Sequence, residues 1–167
     1  MKKAFLSLGS NIGDKKKNLA RAIRYINVGV GHIIDLSGIY ETDPWGFDSE
    51  EKFLNMVIEI ISDLTPAEMM KKCLEIEVKL GRVRSDTDGY SSRIIDIDLL
   101  FYQKEIISEP DLIIPHPHLQ NRRFVLEPLC EIDPDFIHPV LGKTIAELLA
   151  ECTDNTKTEQ LGSMMYI

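Results

Sequence analysis

The chain has 167 residues, 44% of them hydrophobic and 28% charged, and its 27 acidic and 19 basic residues give a net charge of −8. This length fits one domain with a real core, and we expect a single domain over residues 1–167 with a polar tail that frays from about residue 152. The acidic balance argues against nucleic acid as a partner, and no stretch has the length of a membrane span. Three cysteines without metal-ligand spacing indicate reduced thiols in a cytoplasmic protein.

The first half of the chain alternates apolar strands with amphipathic helices. Strands are predicted at 4–8, 32–42 and 53–62, and helices at about 15–26 and 65–80. Thr65 and Glu68 form a predicted capping box at the start of the second helix. Glu77 falls within the apolar arc of this helix, where a lone carboxylate is very costly. Either an arginine partner or a polar contact in an active site would satisfy it.

Residues 93–102 are rich in β-branched and aromatic side chains and predict a further strand. Alternation gives one face Ile95, Ile97, Leu99 and Phe101, and gives the opposite face Asp96 and Asp98. Two adjacent carboxylates repel each other, and Mg²⁺ relieves this because it binds one or two carboxylates together with water and phosphate oxygens. The alternative is an exposed edge strand with two solvated aspartates.

Arginines surround this strand. Arg82, Arg84 and Arg93 lie in a Gly-, Ser- and Asp-rich segment, 81–93, that predicts a loop. The planar fork of arginine suits phosphate oxygens, and arginines beside paired carboxylates are typical of phosphoryl transfer. A solvated basic loop that balances an acidic protein is the alternative.

The remaining polar signals are spread over loops. Trp45 lies on the loop 43–49, where it would either line a pocket for a flat ligand or cap the core. His116 is held between two prolines, and Arg122 precedes a predicted helix at 125–131 where an anion would be favoured. With a short helix at 144–149, the order β-α-β-β-α-β predicts an α+β, ferredoxin-like antiparallel sheet with helices packed on one side and C-terminal additions.

Six stretches together resemble the 6-hydroxymethyl-7,8-dihydropterin pyrophosphokinases of folate biosynthesis. They span about residues 4 to 145 and are 6–11 (LSLGSN), 42–46 (TDPWG), 53–55 (FLN), 81–84 (GRVR), 93–98 (RIIDID), and 115–118 with 122–129 (PHPH and RRFVLEPL). The resemblance implies transfer of diphosphate from ATP to the pterin hydroxymethyl group, with release of AMP. It also implies ATP and the pterin as partners, and we expect a monomer.

Site residues follow from the same resemblance. It implies that Asp96 and Asp98 bind two metal ions, both Mg²⁺, and that Arg82 and Arg93 are further catalytic residues. Nucleotide contacts fall on Glu77, Arg84, Arg93, His116 and Arg122. The pterin slot falls on Thr42, Pro44, Trp45, Phe53, Asn55, Tyr90 and Phe124. The chain departs from the family pattern at Tyr90, where many relatives have tryptophan, and at Asp111, where some have a basic nucleotide contact.

Two other classes of function remain open at this point. One is a non-catalytic ferredoxin-like module that binds a small ligand and regulates a partner, and the other is a metal-dependent nucleotidyltransferase. The products formed from ATP distinguish all three.

Overall fold

The computed structural model describes residues 1–44, 50–82 and 93–164. Within these ranges the elements are β1 (Lys2–Ser10), α1 (Lys15–Gly29), β2 (His32–Leu36), β3 (Ile39–Thr42), β4 (Phe53–Ser62), α2 (Pro66–Lys79), β5 (Asp96–Tyr102), β6 (Ile107–Glu109), β7 (Leu112–Ile114), α3 (Arg123–Ile132), α4 (Ile145–Glu151) and β8 (Thr158–Gly162). A 3₁₀ turn, Leu119–Asn121, precedes α3.

The six-stranded main sheet is antiparallel, in the order β5-β1-β4-β3-β8, and β2 also pairs with β4. This topology confirms the predicted ferredoxin-like fold. The predicted strand 32–42 is divided into β2 and β3, which pair with different halves of β4. The division falls at Ser37, whose hydroxyl accepts the amide of Val57 at 2.9 Å in place of a backbone carbonyl.

Apolar side chains fill both faces of the sheet. One face packs against α1 and α2 through residues such as Leu19 and Met69. The other face packs against α3 and α4 through Val125, Leu129 and Ile145. The helices α1 and α2 therefore lie on one side of the sheet, as predicted, and the C-terminal additions α3 and α4 cover its second face.

β5 lies at the end of the strand order and contains a β-bulge. Phe5 and Leu6 are consecutive in β1, but their partners Phe101 and Leu99 are two residues apart in β5. The extra residue reverses the alternation of side chains. Phe101 consequently lies in the core with Phe5 and not with Leu99 and Ile97, so its predicted face was wrong.

The C-terminal segment adds to the sheet. Residues 158–162, which we expected to fray, form β8 and pair with β3. A small hairpin of β6 and β7 occupies a segment for which no element was predicted. The capping box of Thr65 and Glu68 is present as predicted. No helix in the described ranges combines the length and the apolar character needed to cross a membrane.

Candidate active site

Strand register brings predicted catalytic and substrate residues into one row. Gly9 of β1 pairs with Asn55 of β4 on one side and with Asp96 of β5 on the other. Directly opposed residues share a face of the sheet, so Asn55 and Asp96 point the same way across a glycine that has no side chain. Asp98, opposite Ser7, is in the next row of this face. The two aspartates therefore lie on one face, as alternation predicted.

Asp96 lies between two arginines. The Nη1 atoms of Arg82, just after α2, and of Arg93, just before β5, are each 3.1 Å from Asp96 Oδ1. Both contacts fall on the same carboxylate oxygen. Among the described residues, this leaves Oδ2 for another ligand, next to an oxygen that two guanidinium groups already contact.

Glu77 orients one of these arginines from behind the strand. Its Oε2 is 2.5 Å from Arg82 Nη1, and its Oε1 accepts the amide of Ile97 at 2.8 Å. The side chain is 2% exposed. Burial and the nearby Asp96 carboxylate raise the pKa of Glu77, against the opposing effects of the Ile97 amide and Arg82. Because both oxygens bind protein donors, Glu77 holds Arg82 in place; its predicted contact with nucleotide stays a prediction.

Asn11 is a site residue to which the sequence analysis assigned no role. The amide of Arg93 donates to Asn11 Oδ1 at 2.6 Å, and the amide of Asn11 donates to the Arg93 carbonyl at 3.1 Å. Asn11 is fully buried. The pair of bonds fixes the backbone from which the Arg93 side chain extends. The sequence signals for it were the stretch 6–11 of the resemblance and the short polar run 9–11 at the end of an apolar strand.

Asp98 faces His116. The distance between Asp98 Oδ2 and His116 Nε2 is 4.0 Å. Burial among protein atoms and the neighbouring Asp96 carboxylate raise the pKa of Asp98 to about 7, although 34% of its side chain remains exposed to solvent. A negative charge at Asp98 is therefore unfavourable unless a cation lies nearby.

His116 is a neutral donor near pH 7. Its Nδ1 accepts the amide of His118 at 3.2 Å, so the neutral ring carries its proton on Nε2. Burial, Arg122 and His118 lower the pKa of His116 to about 4. The 4.0 Å separation from Asp98 is longer than a hydrogen bond, so Nε2 lies near Asp98 without donating its proton to that carboxylate.

Arg122 and Phe124 lie at the start of α3. Arg122 is 6% exposed, and its guanidinium carbon lies 5.8 Å from the centre of the Phe124 ring. This distance is within the range of a cation–π contact. The intervening Arg123 turns the other way, toward the C-terminal segment.

Three of the predicted pterin residues, Thr42, Phe53 and Asn55, lie together at the other end of the row. Asn55 Nδ2 donates to Thr42 Oγ1 at 2.7 Å, and both residues are buried. Phe53 pairs with Thr42 in the register of β3 and β4, and Pro44 follows β3 by two residues. The Thr42 hydroxyl fixes the orientation of the Asn55 amide, which a ligand edge requires.

A cleft of about 280 Å³ opens beside Asp98 and His116. Its other lining residues include Met70, Asp111 and Ile113. Apolar walls with a few polar groups at one end are typical of small-ligand sites. Trp45, Arg84 and Tyr90 lie outside the described residues, so their predicted places in the site stay predictions.

Two adjacent carboxylates, two oriented arginines and a neutral histidine donor define a site of the phosphoryl-transfer class. Comparison with known proteins agrees with this class. The model of the family described as 7,8-dihydro-6-hydroxymethylpterin-pyrophosphokinase (HPPK) matches residues 5–134. The chain belongs to the 7,8-dihydro-6-hydroxymethylpterin-pyrophosphokinase family.

Relatives cover nearly the whole chain. A Methylorubrum extorquens protein named 2-amino-4-hydroxy-6-hydroxymethyldihydropteridine pyrophosphokinase is 42% identical over 152 residues, which are 90% of this chain and 94% of that protein. A protein of the same name from Aquifex aeolicus is 37% identical over 153 residues, with 92% and 94% covered.

A solved structure agrees in fold. Wild-type HPPK-DHPS of Plasmodium falciparum superimposes with a TM-score of 0.71 at 18% identity. The match covers 89% of this chain and 44% of that one, so the chain spans less than half the length of this structure. At this identity the likeness concerns the fold alone.

Proposed function

We propose that this protein transfers diphosphate from ATP to the hydroxymethyl group of 6-hydroxymethyl-7,8-dihydropterin, as in folate biosynthesis, and releases AMP. The observation that carries the proposal is the row formed by Asn55, Gly9 and Asp96. Neighbouring strands lie about 4.8 Å apart, so Asn55 and Asp96 start about 10 Å from each other with no side chain between them. A flat heterocycle bound by Asn55 at one edge would present a substituent on its far side to Asp96.

The donors for phosphate surround the aspartates. Arg82 and Arg93 are held at Asp96 by Glu77 and Asn11, before any substrate binds. Donors that are oriented in advance stabilise charge that develops on phosphate oxygens without further reorganisation. We therefore propose that Arg82 and Arg93 stabilise the transition state. Arg122, His116 and the predicted Arg84 would bind the nucleotide phosphates.

Two Mg²⁺ ions on Asp96 and Asp98 belong to this proposal. Hard carboxylate oxygens suit Mg²⁺, which keeps waters or substrate phosphates as its other ligands. No group of three or more His, Cys, Asp or Glu side chains in the described ranges would hold an ion without such ligands. A cation beside Asp98 would offset the burial and the Asp96 charge that raise the pKa of Asp98. When bound, the ions would supply positive charge to the phosphate oxygens.

The pterin slot would lie at the Asn55 end of the row. The buried amide of Asn55 would bind the polar edge of the ring, and Thr42 would keep that amide in one orientation. Phe53, Phe124, Pro44 and the predicted Trp45 and Tyr90 would form its apolar walls, as stacking on a flat bicyclic ligand requires.

Product analysis tests the proposed reaction. We expect the full chain, with ATP, Mg²⁺ and the pterin, to form AMP, and to form none when the pterin is omitted. Chromatography of the nucleotides measures this. Release of inorganic diphosphate would indicate a nucleotidyltransferase, and unchanged ATP together with ligand binding would indicate a non-catalytic module; either result would contradict the proposal.

We further propose that the protein acts as a monomer in the cytoplasm. Cys73, Cys130 and Cys152 are all free thiols, which is typical of a reducing compartment. Light scattering after size exclusion would measure the oligomeric state, and a stable dimer would contradict this proposal.

A further inference from the structure

The start of α3 lacks a capping side chain of its own. Its N-cap residue is Arg122, which makes no side-chain cap hydrogen bond. The first amides of a helix have no partner within the helix and need an acceptor from elsewhere. This matters here because Arg122 and Phe124, on either side of the first helical residue, are both assigned to the site.

Asp154, far along the chain, supplies the acceptor. Its Oδ2 accepts the backbone amide of Arg123 at 3.0 Å. Its Oδ1 accepts from Thr156, through the amide at 2.9 Å and the hydroxyl at 2.5 Å. The Asp154 carboxylate is thus fixed by Thr156 and caps α3 from a segment 31 residues away.

The side chain of Arg123 completes the connection. Its Nε donates to the carbonyl of Asp154 at 2.8 Å and its Nη2 to the carbonyl of Cys152 at 3.4 Å. Its Nη1 lies 3.4 Å from Glu127, which in turn accepts the hydroxyl of Thr158 at 2.5 Å. The Arg123 side chain therefore binds the C-terminal segment. These contacts hold the backbone at position 123, which connects Arg122 to Phe124.

We propose that Asp154 is a positioning residue for the reaction, which acts through Arg122 and Phe124 by fixing the first turn of α3. The inference rests on the proposed function. Asp154 lies beyond the family match, which ends at residue 134, so the match does not assign it a role.

The rest of α3 would stay in place without Asp154. Val125, Leu126 and Leu129 are buried in the core between α3 and the sheet, and Phe124 packs against that core, so apolar packing holds the helix independently of its cap. Loss of the cap should therefore displace Arg122 and Phe124 without unfolding the protein. A small displacement of a positioning group typically costs about tenfold or more in rate.

Kinetics of the full chain with Asp154→Ala provide the first test. We expect kcat/KM to fall about tenfold, with partial rescue in Asp154→Asn, which retains an acceptor oxygen. Glu159→Gln is the matched control, because it removes a negative charge from the same segment at an exposed side chain, and it should behave as wild type. Wild-type kinetics in Asp154→Ala would overturn the inference while leaving AMP formation, and hence the proposed function, intact.

A double-mutant cycle separates positioning from general stability. The affinity for a non-hydrolysable ATP analogue with Mg²⁺ is measured by calorimetry for Asp154→Ala in the wild-type and Arg122→Ala backgrounds. We expect a several-fold loss in the first and little further loss in the second. Equal losses in both would overturn the inference. If Asp154→Ala fails to fold, Thr156→Val, which removes the hydroxyl hydrogen bond to the carboxylate but keeps the backbone amide bond and the branched side chain, is measured in the same cycle and should show a smaller loss of the same kind.

Discussion

A β-carbon on Gly9 would lie 2.8 Å from Oδ1 of Asn55. Such a separation between a β-carbon and an oxygen is too short for van der Waals contact. Gly9 is therefore required by close approach, because any side chain would push the Asn55 amide out of its orientation. The same glycine separates Asn55 from Asp96, so its missing side chain also keeps the row open.

Gly9→Ala should weaken pterin binding. The methyl group would displace Asn55 and strain its 2.7 Å hydrogen bond to Thr42. We expect the free energy of pterin binding to weaken by about 1–3 kcal/mol, the typical cost of leaving a buried polar group unpaired. Calorimetry with the pterin and with an ATP analogue measures both affinities, and the second should change little. Gly29→Ala, which meets open space, is the control. Unchanged pterin affinity in Gly9→Ala would show that the row is not the pterin site.

Asn55→Ala should weaken pterin binding with little effect on ATP affinity. We expect a loss of about 1–3 kcal/mol, because the ring edge would lose its hydrogen-bond partner. Thr42→Val keeps the shape but removes the acceptor of the Asn55 amide, and should cause a smaller loss. An equal loss for pterin and nucleotide would instead point to a misfolded variant.

Asp96→Ala and Asp98→Ala should each slow turnover by roughly 10²–10⁴, which is about 3–5 kcal/mol in activation free energy. The fold should survive, because each change removes one of two repelling carboxylates, and in Asp96→Ala Arg82 keeps its contact with Glu77. AMP formation and thermal unfolding measure the two effects. Asp63→Ala, a change at an exposed side chain, should leave both unchanged. Full activity in Asp98→Ala would exclude the metal role.

Glu77→Gln should lower kcat about tenfold, or ~1.4 kcal/mol. The amide can still accept the Ile97 backbone bond, but Arg82 loses its charged partner and is held only by Asp96. Pterin affinity should be unchanged, because Glu77 lies behind the strand. Glu75→Gln, in an exposed pair with Lys72, is the control on the same helix. A wild-type kcat in Glu77→Gln would refute the positioning role.

The stability contributed by Asp154 should depend on pH. Partial burial would by itself raise the pKa of Asp154, but hydrogen bonds from Thr156 and the Arg123 amide outweigh it and lower the pKa below the usual value. A lowered pKa stabilises the folded state above the pKa of the unfolded chain, and this stability is lost as the pH falls through the folded pKa. Asp154→Asn should therefore unfold at lower denaturant concentration than wild type at pH 7. The difference should shrink toward about pH 3, below the ordinary aspartate range; a difference that grows at low pH would contradict the assignment.

The sequence by itself determined what depends on neighbouring residues. The capping box at Thr65, the apolar strand 53–62 and the shared face of Asp96 and Asp98 were all predicted, because helix and strand periodicities act within one element. The need of Glu77 for a partner was also visible, since a carboxylate in an apolar arc is costly wherever the helix packs.

Only the tertiary structure decided which distant groups meet. The bond between Arg93 and Asn11 spans 82 residues, and that between Arg123 and Asp154 spans 31. No local pattern specifies such contacts, because they arise from strand pairing and packing over the whole chain. The bulge that moves Phe101 to the opposite face, and the register that sets Gly9 between Asn55 and Asp96, have the same origin. A register shift of one residue would move each side chain of a strand to the other face of the sheet. Only the complete sheet, with a hydrophobic core on both faces, excludes such a shift.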